Sequence, residues 1–160
     1  MPIKALLMAF TVAVIWGVNM LTVKGAVGEI PPFILTAMRF AAVAILLIPF
    51  TQVPRGRIGK LALISVTFGG LHFGVLFYAL SMIDAGPVAV IILLGVPFSS
   101  MLATYFFNDR LGWKRLSGMA LAFIGVTIMF WDPTMTELQL PLLLVVFASF
   151  MWAVANVMIK

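Results

Sequence analysis

No cysteine occurs in this chain, which removes a disulfide framework, a thiolate metal site and a thiol nucleophile from consideration. Charge is nearly as scarce, since charged side chains make up 9% of the residues and only five of them are acidic. What remains is 64% apolar, with a mean hydropathy of +1.21. Those values lie far outside the range of a soluble globular domain and identify an integral membrane protein. The net charge of +5 does not describe a nucleic-acid surface, because the basic residues sit between apolar runs instead of gathering on one soluble face.

Six apolar runs are long enough, or nearly so, to cross hydrocarbon as helices: Ala5 to Val23, Phe33 to Phe50, Leu61 to Ile83, Val88 to Phe107, Leu116 to Trp131 and Pro141 to Ile159. Between them lie the expected breakers and charges, namely Pro31 and Pro32, the stretch from Pro54 to Lys60, Gly86 and Pro87, Asn108 to Arg115, and Asp132 with Pro133. All the connections are short, so no soluble domain is inserted. Trp113 and Trp131 bracket the fifth run as an interfacial aromatic belt would. The expected fold is therefore all-α, a polytopic bundle of six transmembrane helices.

With the amino terminus in the cytoplasm, Lys4, Arg55, Arg57, Lys60, Arg110, Lys114, Arg115 and Lys160 fall inside and Lys24 alone falls outside. That bias predicts cytoplasmic termini in the plasma (inner) membrane. Ala26 and Gly28 offer a small-residue processing site after the first run, as in a cleaved signal peptide. The run is long for such a peptide, and its pattern returns later, so a retained helix is expected.

The pattern that returns is Trp16, Asn19 and Lys24, which reappears as Trp152, Asn156 and Lys160 with tryptophan and lysine offset by 136 residues in both cases. Five runs precede the second copy. An odd number of crossings inverts the next repeat, and inverted repeats are a habit of secondary transporters, whose substrate sites lie at mid-bilayer between the halves. The expected division is residues 1–136 as a first five-helix repeat and residues 137–160 as the first helix of a second.

The Trp16-Gly17-Val18-Asn19 start, Ile30-Pro31-Pro32 leading into Met38-Arg39-Phe40, Pro97 within the fourth run and Asp109-Arg110-Leu111 before a glycine-spaced fifth run resemble the EamA family of the drug/metabolite transporter superfamily. The resemblance covers the whole chain. It implies ten helices in two inverted halves, both termini cytoplasmic, and a central cavity. On that comparison the chain holds the first half plus the sixth helix, and the remaining half is a partner in cis or in trans. Export of small metabolites such as amino acids by alternating access is the implied activity, with a small solute and the lipid bilayer as partners, no nucleic acid and no cofactor. Asp109 stands where that family usually has glutamate, one methylene longer.

Polar groups within the runs are costly unless they face a cavity or a partner, which makes them the candidates for a substrate pathway. Asn19 shares a helix face with Trp16, and Asn156 lies one turn beyond Trp152; an interhelical hydrogen bond is the competing role for the amides. His72, the single histidine, falls in the middle of the third run with Ser65 and Gly69 expected on its face. It either contacts solute or makes a neutral interhelical bond. Gly70, Gly74, Tyr78 and Ser81 form a strip better explained by close packing, with Tyr78 kept as a pathway candidate. Pro97 deprives the Leu93 carbonyl of its helical partner and bends the helix, exposing backbone to solute or to repair by Ser99, Ser100 and Thr104. Arg39, two turns inside the second run, is expected to pair with an acid or orient the fold. Asp84 is expected to cap the fourth helix, Lys24 and Lys160 to mark helix ends, and Gly118, Ala122 and Gly125 to form a packing stripe.

An integral membrane enzyme needs paired aspartates, a serine with its base or a metal-binding pair of histidines; the runs hold none, so no enzymatic activity is expected. A non-enzymatic assembly subunit would show spans of small packing residues without polar groups recurring at one depth. The lack of a mid-depth carboxylate disfavours proton coupling through Asp or Glu of this chain. In a chain free of cysteine, single cysteines introduced beside Lys4 and beside Ile159 should react with an impermeant maleimide from the same face of the membrane, and labelling from opposite faces would exclude an even number of crossings.

Overall fold

A computed structural model of the chain describes residues 3–51, 55–109 and 111–159. Lys160, Arg110 and Pro54 lie outside the described residues. Six helices are long and apolar enough to span a membrane: α1 Ile3–Ala26, α2 Pro32–Phe50, α3 Ile58–Met82, α4 Ala85–Phe107, α5 Trp113–Phe130 and α6 Gln139–Ile159. No strand occurs among the described residues. In hydrocarbon every backbone group must find its partner within the protein, and uninterrupted helices do so locally. Hydroxyls follow the same logic: Thr11, Thr22, Thr36, Thr67, Ser100, Thr104 and Thr127 each donate to the carbonyl four residues back at 2.8–3.0 Å.

The breakers act where the sequence places them. Pro32 occupies the first position of α2, where its missing N–H costs nothing. Asn108 ends α4 in the left-handed region at φ 51°, a conformation that asparagine tolerates better than most residues. Asp84 occupies the cap position of α4 with extended backbone, but its side chain makes no capping bond. The expected cap is thus one of backbone shape only.

Two helices depart from α geometry. Val66–Gly74 of α3 is a π-helix, and Ile92–Leu94 of α4 tightens to a 3₁₀ turn just ahead of Pro97. The wide turns rotate residues relative to α spacing, which corrects one expectation. Ser65 and Gly69 do not share the face of His72 but open on a groove against Phe33 and Phe40 of α2. Gly74 lies directly under Phe33: a Cβ there would stand 2.8 Å from the ring. Tyr78 stacks on the same ring at 6.2 Å between centroids. The strip on α3 is therefore a docking site for α2.

Burial is concentrated toward one end of the bundle. The core takes Val23 and Val27 from the end of α1, Leu76, Phe77, Ala79 and Leu80 from the second half of α3, and Val88, Ile91 and Leu94 from the first half of α4. α6 contributes Leu142, Val145 and Ala148, with Ala153 and Ala155 buried further toward its other end, and α5 only Val126. Consecutive helices run in opposite directions, so these stretches share one end. At that end the Nζ of Lys24 donates to the carbonyls of Leu80 and Ile83, both at 2.9 Å. Beyond marking a helix end, as the sequence suggested, Lys24 closes the C-terminus of α3, where carbonyls lack helical partners and a cation is favoured.

α6 is keyed into α3 and α4 by one turn. The Ala148 carbonyl meets His72 Nδ1 at 2.9 Å. The Ser149 hydroxyl bonds Val145 at 2.7 Å and lies 3.3 Å from the Ile91 carbonyl on α4. Trp152 rests on Gly95, where a Cβ would stand 2.7 Å from the indole. The stripe on α5 behaves otherwise, since nothing lies within 4 Å of a Cβ built at Gly118 or Gly125. Both glycines and Ala122 are exposed, so among the described residues the stripe packs against nothing. α5 meets the bundle instead through Phe123, edge-on to Phe98 at 5.4 Å.

Gly95→Ala should lower the melting temperature in detergent, with an overpacking cost of about 1–3 kcal/mol, whereas Gly125→Ala should leave it unchanged or slightly raised. Equal melting of the two would mean that α4 and α6 do not meet at Gly95. Lys24→Met, which keeps the stem and removes both charged hydrogen bonds, should cost about 1.5–3 kcal/mol; wild-type melting of that variant would show that the clamp on α3 contributes nothing.

Candidate functional site

A cavity of about 340 Å³ lies between α1, α2, α3, α4 and α6, at the low end of the size range of small-molecule sites. Its floor is apolar, formed by Met20, Val23, Leu76 and Phe77 where the core closes. Its polar lining comes from Asn19, Arg39 and His72, with the two indoles of Trp16 and Trp152. Four of the residues singled out in the sequence, Trp16, Asn19, His72 and Trp152, are brought together here from three helices distant in the chain.

Each polar group reaches the cavity for a local reason. His72 sits in the π segment and is 4% exposed. A carbonyl can only accept, so the bond to Ala148 places a proton on Nδ1, and when the ring is neutral Nε2 is the acceptor. One nitrogen thus makes the interhelical bond to α6 while the ring lines the cavity. Phe68 and Phe73 flank that ring at 5.5 and 4.5 Å between centroids. Asn19 makes no side-chain hydrogen bond to any described residue. Its amide lines the cavity with its donors and acceptor unpaired among the described residues.

Arg39 departs from its expected role. Its guanidinium lies over Phe73 at 5.4 Å and Phe77 at 5.8 Å, a cation–π arrangement. Among the described residues the one ion pair joins Arg115 to Asp109, 3.8 Å apart at the other end of the bundle. Arg39 is therefore a wall residue of the cavity and has no acidic partner there. A guanidinium at the centre of a spanning helix costs about 3 kcal/mol unless something compensates. The sequence suggested an acidic partner; Phe73 and Phe77 of α3 hold the guanidinium instead.

The other candidates lie elsewhere. Asn156 is exposed and donates to the Trp152 carbonyl at 2.9 Å. Ser100 bonds the Val96 carbonyl on its own helix. Tyr78 stacks against α2. Pro97 is buried against the bundle, while Leu93, whose carbonyl cannot bond to Pro97 but accepts from the Gly95 N–H at the end of the 3₁₀ turn, lines the cavity. Neither Ser100 nor Thr104 repairs that carbonyl, since each bonds the residue four before itself. Ser99 Oγ is buried without a partner.

The chain is 31% identical over 156 residues to the probable amino-acid metabolite efflux pump of Escherichia coli (strain K12), an alignment covering 96% of this chain and 52% of that protein. It is 29% identical to the probable amino-acid metabolite efflux pump of Salmonella typhimurium, with the same coverages. To the uncharacterized transporter YoaV of Bacillus subtilis (strain 168) it is 24% identical, over 99% of this chain and 58% of that protein. The chain thus spans about half the length of the curated relatives it matches. No solved structure matches it significantly. Residues 3–131, which include five of the six spanning helices and every cavity residue except Trp152, match the EamA-like transporter family, and the chain belongs to that family.

Proposed function

We propose that this chain forms one wall of a solute pathway in a multi-pass transporter of the inner membrane, exporting small metabolites by alternating access and catalysing no reaction. The observation that carries the reading is the cavity, where Trp16, Asn19, Arg39, His72 and Trp152 converge at mid-depth among helices that are otherwise apolar. Isolated polar groups in hydrocarbon are costly, and their convergence on one space is what a pathway requires. Amino acids or related compounds are the substrate class suggested by the names of the two enterobacterial relatives.

The geometry also supports a direction. Lys24, the core and the ends of α1 and α3 seal one end of the bundle, while Arg57, Lys60, Lys114 and Arg115 lie at the other. With basic residues facing the cytoplasm, both termini are cytoplasmic and the sealed end is outside, so the wall has the shape of an inward-open state. Residues 1–136 then form a first five-helix repeat and residues 137–160 begin a second. A second five-helix half, in cis or in trans, closes over the exposed side of the cavity. Transport proceeds by rocking of one half against the other, which must break the Lys24 clamp to open the outer end. No carboxylate lines the cavity among the described residues, so the reading assigns coupling to no acid of this chain.

In the transporter with its covering half, Trp16→Ala, Asn19→Ala and His72→Ala should each lower efflux of a labelled amino-acid mixture from preloaded cells by about tenfold or more, as expected when a solute contact worth at least one decade is lost. Gly125→Ala should match wild type at equal expression. Equal losses in all four variants would detach transport from this cavity.

A further inference from the structure

Arg39 stands out among the cavity groups because its charge is unanswered. No Asp or Glu is among the described residues that line the space, and the described ion pair lies at the far end of the bundle. The guanidinium is held instead by ring faces, over Phe73 and Phe77. A cation–π contact engages the charge and consumes none of the five N–H donors, and no side-chain hydrogen bond joins Arg39 to a described residue. From Pro32 to Arg39 the helix rises about 10 Å, and the rings beneath the guanidinium belong to the middle of α3, so the charge sits within the spanning region.

The remaining polar lining has the same bias. Indoles such as those of Trp16 and Trp152 donate only, and the Asn19 amide supplies two further donors beside its one acceptor oxygen. His72 offers one acceptor at Nε2, its other nitrogen being spent on Ala148. A small space with one fixed positive charge and a surplus of donors is complementary to an oxyanion carried on an apolar body. A planar guanidinium is the side chain best suited to hold one.

We propose that Arg39 is the specificity-determining residue of the cavity, binding the carboxylate or phosphate oxygens of an organic anion whose apolar part lies against Phe73, Phe77 and the tryptophans. This rests on the transport reading for its biological setting, but the binding preference is a property of the wall itself. An organic cation is excluded by the same charge, and a neutral amide isostere offers the guanidinium one uncharged acceptor oxygen in place of a two-oxygen anion.

The test uses the chain in lipid nanodiscs and four probes of one shape: benzoate, phenyl phosphate, benzamide and benzylamine, with affinity measured by equilibrium dialysis. Benzoate or phenyl phosphate should bind about tenfold or more tightly than benzamide, one decade being the least that a charged hydrogen bond contributes, and benzylamine should not compete. Whichever of the two anions binds better identifies the oxyanion. In Arg39→Gln the ratio of anion to amide should fall to about one while benzamide affinity stays at its wild-type value. Arg39→Lys should retain part of the preference, since charge remains and the planar fork is lost. An Arg39→Gln protein that keeps the wild-type ratio, or a wild-type protein that binds benzamide as well as benzoate, would overturn the proposal. Trp16→Ala controls for loss of the cavity, and should weaken all bound probes alike. Flux is read separately: anion binding through Arg39 without solute movement would remove the transport reading alone, and flux without charge preference would remove this one alone.

Discussion

One turn of α6 determines where everything else in the bundle can lie. From Ala148 to Trp152 it accepts a hydrogen bond from His72 on α3, places a hydroxyl beside the Ile91 carbonyl of α4, and sets an indole where only glycine leaves room, at Gly95. None of these contacts is hydrophobic burial in the aqueous sense. Between helices in lipid the driving force is close packing and hydrogen bonding, for which small residues and hydroxyls are the instruments. Gly95, Ala148 and Ser149 supply both, and the seam they form holds two walls of the cavity at a constant separation. Trp152 reaches the cavity because its ring cannot sink further into α4.

The same seam gives the sequence repeat a mechanical meaning under the proposed division. If residues 137–160 begin the second repeat, α6 is the helix through which one half grips the other, and His72 is the grip on the first half. A solute that engages His72 Nε2 touches a ring whose opposite nitrogen is bonded to α6. Differential contact of that kind is what ligand-driven population shifts require. The Lys24 clamp is its counterpart at the sealed end, joining α1 to α3 within the first repeat.

Most of the fold was legible in the sequence, because six apolar runs separated by proline, glycine and charge admit few other readings, and the helices begin and end within a few residues of those runs. Trp16, Asn19, His72 and Trp152 were legible for a related reason: a polar or large amphipathic group at mid-span is conspicuous against hydrocarbon. Lys24 marks a helix end as expected, but neither its partners nor those of Arg39 were legible, since distance along a helix gives depth but not direction. Only packing reveals that Phe73 and Phe77 draw one side chain inward and that the α3 carbonyls draw the other across. Tyr78, Ser100 and Asn156 were chosen for polarity, yet each is occupied locally, by a ring or by a carbonyl of its own helix. The π segment left no sequence signal beyond Gly69, Gly70 and Gly74, and without it the faces of α3 could not be ordered correctly.

That segment and the 3₁₀ turn of α4 explain why the cavity lies where it does. Phe68, His72 and Phe73 come from the π-helix, and Ile92 and Leu93 from the 3₁₀ turn, so two spans abandon α geometry while facing one space. Irregular backbone at membrane depth is tolerated only beside protein or a polar cavity, because its carbonyls must be answered by something other than lipid. π segments in turn tend to mark functional positions. Here the π segment presents His72 to the Ala148 carbonyl of α6, and the tight turn ahead of Pro97 presents Ile92 and Leu93 to the cavity.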